Sequence, residues 1–173
     1  MRILLMCLAV VAAPLMAQED PAEPAMTGER IAAILRAIDA DAVQRGITTE
    51  LTIDDVPIMV IVDERSDRMR AMVPIRSADG IEPEELQRMM QANFDTALDA
   101  RYAVAQGRVW GVFIHPLSPL EREQLVSGLI QTVNLARSYG QAYTGGAQHF
   151  GGGDSNGIYR DLLEELLKKG EPL

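Results

Sequence analysis

The sequence predicts an α+β domain, in which five antiparallel strands form a sheet and helices pack against it. The predicted order is α-β-β-β-α-β-β-α, followed by a further helix after a glycine-rich linker. Three observations predict this class. Apolar and polar residues alternate at a period of two between residues 47 and 75. The pair Gln106-Gly107 is a tight-turn signal between two strand-like runs. Apolar residues at helical spacing lie before, between and after these runs.

The first element is a predicted secretory signal peptide, residues 1–17. Arg2 supplies the positive charge, Ile3–Ala13 the apolar run, and Ala17 the small residue before a cleavage site at Gln18. The apolar run is shorter than the roughly 20 residues that a membrane-spanning helix needs. We therefore predict a periplasmic or secreted protein, cleaved near Ala17, with no membrane span in the mature chain. Cys7, the single cysteine, belongs to the signal, so the mature chain has no disulfide or thiol chemistry.

The excess of acidic over basic residues limits the kinds of molecule that the protein can bind. The chain has 173 residues, with 16 Lys and Arg against 25 Asp and Glu, and a formal net charge of −9. A nucleic-acid surface needs concentrated basic residues, so no nucleic-acid partner is predicted. The glycine-rich stretch lacks the Lys-Ser/Thr that follows a phosphate-binding loop, so no nucleotide cofactor is predicted either.

The segment 18–26 is polar and contains proline, which predicts a flexible lead after cleavage. Thr27 can cap a helix with Glu29 in its first turn, and Gly46 can end it. One face of this helix is apolar, with Ile31, Ile34, Leu35, Ile38 and Ala42. The other face is charged, so the helix is expected to lie on the surface of the sheet.

Three successive strands are predicted next, at Ile47–Ile53, Ile58–Val62 and Met69–Ile75. Asp54-Asp55 and the loop 63–67 connect them as turns. Four acidic residues in these turns, Asp54, Asp55, Asp63 and Glu64, do not have the spacing of a calcium-binding loop. We therefore interpret these acidic residues as ordinary solvent-exposed turn residues.

A central helix begins near Pro83, with glutamates in its first turn. Its apolar face is predicted to contain Leu86, Met89, Met90, Asn93 and Ala97, with Phe94 at the edge. Asn93 is polar on a buried face, so we expect its amide to hold a neighbouring loop or strand end. The helix 86–98 is a candidate homodimer or partner-binding surface, through Met89, Met90, Phe94 and Leu98. The alternative for its methionines is an ordinary core.

The runs Arg101–Ala105 and Arg108–Ile114 predict a hairpin turning at Gly107. Both faces of the second strand are apolar, which predicts a central strand covered on both sides. Trp110 and Phe113 are accordingly expected in the core rather than stacked on a ligand. Ser118 to Glu121 has the pattern of a capping box, opening a helix that stops at Gly140.

The C-terminal part consists of a predicted glycine-rich linker, 141–157, and an amphipathic helix, 158–170. Four leucines lie on one side of that helix: Leu162, Leu163, Leu166 and Leu167. The helix can dock on its own domain or serve a partner. Docking is preferred, because an exposed leucine stripe promotes aggregation.

Catalytic chemistry has weak support in the sequence. His115 and His149, with Asp154, could hold a metal only if the tail folded back to the hairpin. A small hydrolase or ligand-binding enzyme using the Ser118/His115 region is the alternative function, although Ser118 already has a role as a helix cap. We therefore predict no catalytic residue, no metal ligand and no cofactor.

The stretch Leu86–Ala136, LQRMMQANFDTALDARYAVAQGRVWGVFIHPLSPLEREQLVSGLIQTVNLA, resembles the YbjN-type bacterial domain. It is also similar to the class I chaperones of type III secretion, which share that fold. The matching features are the Ala92-Asn93 pair, the hairpin, the Pro-Leu-Ser-Pro-Leu entry and the long helix after it. The resemblance covers residues 27–140. It implies an acidic, non-catalytic, chaperone-like module that binds a protein or peptide partner, and for the chaperones a homodimer.

Overall fold

A computed structural model describes residues 23–95, 98–140 and 158–170. The predicted signal peptide and the glycine-rich linker lie outside these residues. The helices are α1 (Gly28–Ile38), α2 (Pro83–Asp95), α3 (Arg122–Arg137) and α4 (Ile158–Lys169). The strands are β1 (Val43–Arg45), β2 (Thr48–Ile53), β3 (Val56–Asp63), β4 (Arg68–Ser77), β5 (Arg101–Ala105) and β6 (Arg108–Pro116). None of the helices in this described part is long and apolar enough to cross a membrane.

The strands form one antiparallel sheet in the order β1-β2-β3-β4-β6-β5. The α+β class and the single antiparallel sheet are confirmed, but the sheet has six strands instead of the predicted five. The extra strand, β1, lies in the region predicted as the end of the first helix. That helix stops at Ile38, because the Asp39 carboxylate accepts hydrogen bonds from the amides of Asp41 (2.9 Å) and Thr52 (2.8 Å). Gly46, with φ of +62°, makes a hairpin turn between β1 and β2 instead of ending a helix.

One face of the sheet packs against α1 and α3 and forms the core. Residues that alternate onto this face are buried: Leu51, Ile53, Ile58, Val60, Met69, Ala71, Val73, Val109 and Phe113. Two glycines set the distance between α3 and β6. A Cβ on Gly111 would lie 3.2 Å from the Thr132 carbonyl oxygen, and one on Gly128 would lie 2.5–2.7 Å from the Phe113 ring. The helix therefore approaches β6 more closely than larger residues permit.

Helix α4 is docked on this layer, as the leucine stripe predicts. Leu166 is buried, and Leu162, Leu163 and Leu167 are partly buried against the same core. The Arg122 guanidinium on α3 donates a hydrogen bond of 2.7 Å to the carbonyl of Leu167. This bond satisfies a carbonyl at the end of α4 that has no partner within the helix.

The chain before α1 is also packed, over residues 23–26. The Met26 side chain is buried, and its amide donates to the carbonyl of Ser118. The Glu23 carboxylate accepts hydrogen bonds from the Arg122 amide, at 3.1 and 3.2 Å, at the first residue of α3. A carboxylate at this end of a helix complements its dipole. The part of the predicted flexible lead that is described, Glu23 to Met26, is thus held by α3.

The capping box predicted at Ser118 is wrong. Helix α3 begins at Arg122, and Gln124 accepts a hydrogen bond of 3.0 Å from the Glu121 amide. Ser118 instead contacts the turn before β4. Its amide and hydroxyl both donate to the Asp67 carboxylate, at 2.7 and 3.0 Å. Ser118 therefore binds the distant turn at Asp67 instead of capping α3.

The β5–β6 hairpin is confirmed, with positive φ at both Gln106 (52°) and Gly107 (69°). Asn93 has the predicted kind of role. Its side-chain oxygen accepts from the Tyr102 amide at 2.7 Å, and its nitrogen donates to the Tyr102 carbonyl at 3.1 Å. The Asn93 amide therefore occupies the outer edge of β5, where an unpaired strand would otherwise present free groups.

Strand β6 is an interior strand, as predicted, because it pairs with β4 on one side and β5 on the other. The prediction that both of its faces are covered is wrong, since Ile114 is 54% exposed. Val109, Gly111 and Phe113 face α3, whereas Trp110, Val112 and Ile114 alternate onto the opposite face. Trp110 is half-buried, and its indole N–H donates to the carbonyl of Ala105 at 3.0 Å. The α3-facing side of β6 therefore belongs to the core, whereas its opposite apolar side lies at the surface.

Candidate functional site

Helix α2 presents an apolar stripe that no described residue covers. Leu86, Met90 and Phe94 are exposed by 40%, 54% and 77%, although all three are large and apolar. Their spacing of four residues places them on one side of the helix. The opposite side packs inward through Met89 and Ala92, both buried. The helix thus has two apolar sides, one used by its own domain and one free.

Three of the four predicted surface residues lie on these two sides. Met90 and Phe94 lie on the exposed stripe. Leu98, 43% exposed, lies in a bend beyond the end of α2. Met89 is fully buried and is corrected to a core residue, because the domain fills that side of the helix. Leu86 belongs to the exposed stripe but was assigned to the buried face. The repeat of apolar residues at 86, 90 and 94 was the signal for it.

Several contacts fix the orientation of α2, so that the stripe points away from the domain. Asn93 binds the edge of β5 through two hydrogen bonds. Near the other end, the Glu85 carboxylate pairs with Arg76 of β4 at 3.5 Å and accepts a hydrogen bond from the Tyr139 hydroxyl. Turning the stripe inward would break all of these contacts. Phe94 and Met90 are therefore held at the surface rather than left there by a loose helix.

The Ser118/His115 region does not form the nucleophile and base of a hydrolase. The Ser118 hydroxyl donates to Asp67, and the His115 Nδ1 lies 2.8 Å from the Pro116 carbonyl oxygen. His115 faces a cleft of 610 Å³ with carboxylates around it, and Ser118 is not among the lining residues. Activation of a serine requires the base within hydrogen-bond reach. The geometry gives this pair structural roles.

The acidic turns have structural roles as well. The Asp63 carboxylate accepts from the amides of Arg65 (3.1 Å) and Ser66 (3.2 Å), within its own loop. Hydrogen bonds from Ser66, first from its hydroxyl, hold the pKa of Asp63 below its usual value. Among the residues that the structure describes, no group of three or more His, Cys, Asp or Glu side chains could hold a metal ion.

Comparison with known proteins gives structural likeness without a sequence relative. No protein-family model matches the chain, and no curated protein matches it. Among solved structures, it is similar to the Yersinia pestis type III secretion chaperone SycH, crystallised with a stable fragment of YscM2. The identity is 14%, the TM-score 0.48, and the match covers 62% of this chain and 97% of that one. It is also similar to the HopA1–SchA chaperone–effector complex, at 12% identity and a TM-score of 0.49, over 65% and 94% of the two chains. No residue role is taken from either complex.

Proposed function

We propose that this protein is an exported, non-catalytic protein-binding module of the YbjN type, which forms a homodimer through helix α2. The observation that carries the dimer is the stripe of Leu86, Met90 and Phe94, exposed and held outward. Burial of exposed apolar surface of this kind stabilises a complex by roughly 25 cal/mol per Å². A second copy is the simplest source of a matching apolar surface, because a two-fold axis brings the same stripe from both copies together.

The stripe alone is small for a stable interface, which buries about 800 Å² on each partner. Exposed apolar residues nearby in the chain supply more surface. Leu98 follows α2, and Val104, 48% exposed, lies on β5, which α2 contacts. Together these residues surround the outer edge of the sheet, where the second copy would sit. The polar residues Gln87 and Arg88 on the exposed side of α2 would form the rim.

Replacing Phe94 by glutamate is expected to convert a dimer into a monomer. The change places a charge at the most exposed apolar position, where burial in an interface costs several kcal/mol without a partner. Light scattering after size exclusion measures the mass directly. Gln44→Glu adds the same charge at an exposed position of β1, at the opposite edge of the sheet, and should leave the dimer intact. A wild-type protein that stays monomeric at high concentration would refute the dimer.

The proposed export is supported by the pattern of residues 1–17, a positive residue, an apolar run and a small residue before Gln18. Protein isolated from its native host should begin near Gln18 when its N-terminal peptide is analysed by mass spectrometry. An N-terminus at Met1 in a soluble cytosolic fraction would remove the compartment from the proposal. The dimer surface would be unaffected by that result.

A further inference from the structure

The side of the sheet opposite the helices is an apolar surface that crosses three strands. Strand register places Met59, Met72 and Val112 in one row across β3, β4 and β6. Ile61 and Ile114 lie in the next row, on either side of Arg70, and Trp110 lies near Pro74. These side chains are half-buried, and Ile114 is 54% exposed. We call this surface the open face: Met59, Ile61, Met72, Trp110, Val112 and Ile114.

Arginines border the open face. Alternation along the strands places Arg68 and Arg70 of β4, Arg101 of β5 and Arg108 of β6 on this side. Within the described residues, none of them forms an ion pair with a carboxylate. Arg68 donates to the Asp67 carbonyl at 3.0 Å, Arg101 to the Ala100 carbonyl at 2.9 Å, and Arg108 lies 6.0 Å from the centre of the Trp110 ring.

The strand carboxylates that alternate onto the same side are already engaged. Glu50 pairs with Arg45 across β1 and β2. Asp63 accepts hydrogen bonds from its own turn. Arg101 differs from the other arginines, because it also lines the cleft that contains Asp99, Glu121 and Glu123. The open face therefore has a positive border of Arg68, Arg70 and Arg108 around an apolar centre, in a protein whose net charge is −9. Such separation of charge gives a local potential opposite in sign to the whole molecule.

We propose that the open face binds an acidic amphipathic segment of another protein, in which apolar side chains alternate with Asp or Glu. The apolar residues of the segment would contact Met59, Met72 and Val112, and its carboxylates would pair with Arg70 and Arg108. Guanidinium groups form paired, charge-assisted hydrogen bonds with carboxylates. Methionine side chains adapt their shape to different apolar partners. This inference gives the chemical class of a partner, and it does not depend on the proposed dimer.

The open face and the stripe on α2 are separate surfaces. Glu85 of α2 accepts a hydrogen bond from Tyr139, which lies just after α3, and the Tyr139 ring packs edge-on against Tyr102, 5.9 Å between centroids. Tyr102 points into the helix layer, where its hydroxyl donates to the Leu135 carbonyl at 2.8 Å. Helix α2 is thus anchored on the helix side of the sheet. A partner on the open face can bind while a second copy occupies α2.

The chemistry favours an acidic peptide over other polyanions. Nucleic-acid binding depends on many basic contacts to phosphate, whereas the centre of this face is apolar. The net negative charge also repels a nucleic acid or an anionic membrane at long range. A short acidic segment avoids most of that repulsion, because it contacts only the positive border. Its binding should weaken as salt screens the ion pairs.

The test uses the mature chain and a labelled synthetic peptide that alternates leucine and glutamate, followed by fluorescence anisotropy. We expect saturable binding, weaker at high salt, and little binding of a leucine–lysine or a serine–glutamate peptide. Arg70→Glu should weaken binding about tenfold, since like charges then face each other. Lys168→Glu is the matched control, because it makes the same change on α4, in the helix layer. It should bind as the wild type does.

Further variants separate this proposal from the others. Met72→Gln should weaken binding of the leucine–glutamate peptide through loss of apolar contact. Phe94→Glu should bind the peptide normally, whether or not it is monomeric. Equal binding by wild type and Arg70→Glu, or equal binding of acidic and basic peptides, overturns the proposal. The proposal is also overturned if the protein does not bind the peptide but sediments with phosphatidylglycerol vesicles and Arg70→Glu does not. That result would identify the open face as a membrane-binding surface.

Discussion

Replacing Leu166 by alanine is expected to lower the free energy of unfolding by about 2–5 kcal/mol, the range for a large apolar side chain removed from a core. Leu166 is the buried leucine of α4, and it lies in the same cluster as the residues of α1, α3 and the sheet. Chemical denaturation measures the change. The control is Glu164→Ala, an exposed position on the same helix, which should change the stability by less than about 0.5 kcal/mol.

Deleting residues 141–173 also tests whether α4 docks on the domain, and it does so without the cavity that Leu166→Ala creates. The melting temperature should fall, and the apolar surface beneath α4 should bind the dye ANS. Arg122 would also lose the Leu167 carbonyl that its guanidinium contacts. If Leu166→Ala and the deletion both melt as the wild type does, α4 contributes nothing to the fold. In that event its leucines are available to a partner.

Replacing Gly128 by alanine is expected to destabilise the protein, although alanine is the better helix residue. Helix propensity alone would favour alanine by about 1 kcal/mol. Against this, the new methyl group would lie 2.5–2.7 Å from three atoms of the Phe113 ring, well inside normal contact distance. Phe113 is buried, and overpacking of a core costs about 1–3 kcal/mol, occasionally more. We expect the clash to win, with a net loss of about 1–2 kcal/mol by thermal or chemical denaturation.

A second substitution identifies the cause of that loss. Phe113→Leu removes ring atoms that the methyl group would meet, so it should recover part of the stability of Gly128→Ala. The double variant should therefore be more stable than the sum of the two single changes predicts. Glu123→Ala, an exposed position of α3, controls for changes in helix propensity. Additive effects of Gly128→Ala and Phe113→Leu would show that the ring and the helix are not in contact.

The sequence predicted correctly those features that depend on a few neighbouring residues. The β5–β6 hairpin follows from Gln106-Gly107, because both residues adopt the positive φ that the turn needs. The role of Asn93 followed from its place on an apolar helix face, where an amide must find partners. The residues of β4 divide into a dry and a wet face as their alternation indicates. In each case the information lies within a few residues.

Distant partners decided the elements that the sequence did not predict. The first helix stops at Ile38 because Asp39 binds the amide of Thr52, thirteen residues further along the chain. Ser118 does not cap α3 because Asp67 engages its amide and hydroxyl, and Glu23 accepts the Arg122 amide at the start of the helix. Neither carboxylate can be assigned to its partner from spacing alone. The same reason explains β1, whose three residues pair with β2 only once the helix has ended.

The sequence places the candidate surface on α2 but does not give the orientation of that helix. Met89 and Met90 are neighbours of the same type, and only the direction in which α2 is held makes one core and the other surface. Asn93 gives that direction, since its bonds to Tyr102 turn Met89 inward and Met90 outward. The open face was missed for a different reason. Apolar residues on both sides of β6 do not reveal which side a helix layer will cover.

The contact between Glu23 and Arg122 has a consequence for the order of folding. The two residues are 99 positions apart, so this contact raises the contact order of the fold and closes a long loop. During synthesis the chain must be extended through the start of α3 before Glu23 and Met26 have a partner. Until then the N-terminal segment cannot reach its native position. The start of α3 thus determines when the segment before α1 is fixed, and Glu23 in a nascent chain lacks this partner until Arg122 has been made.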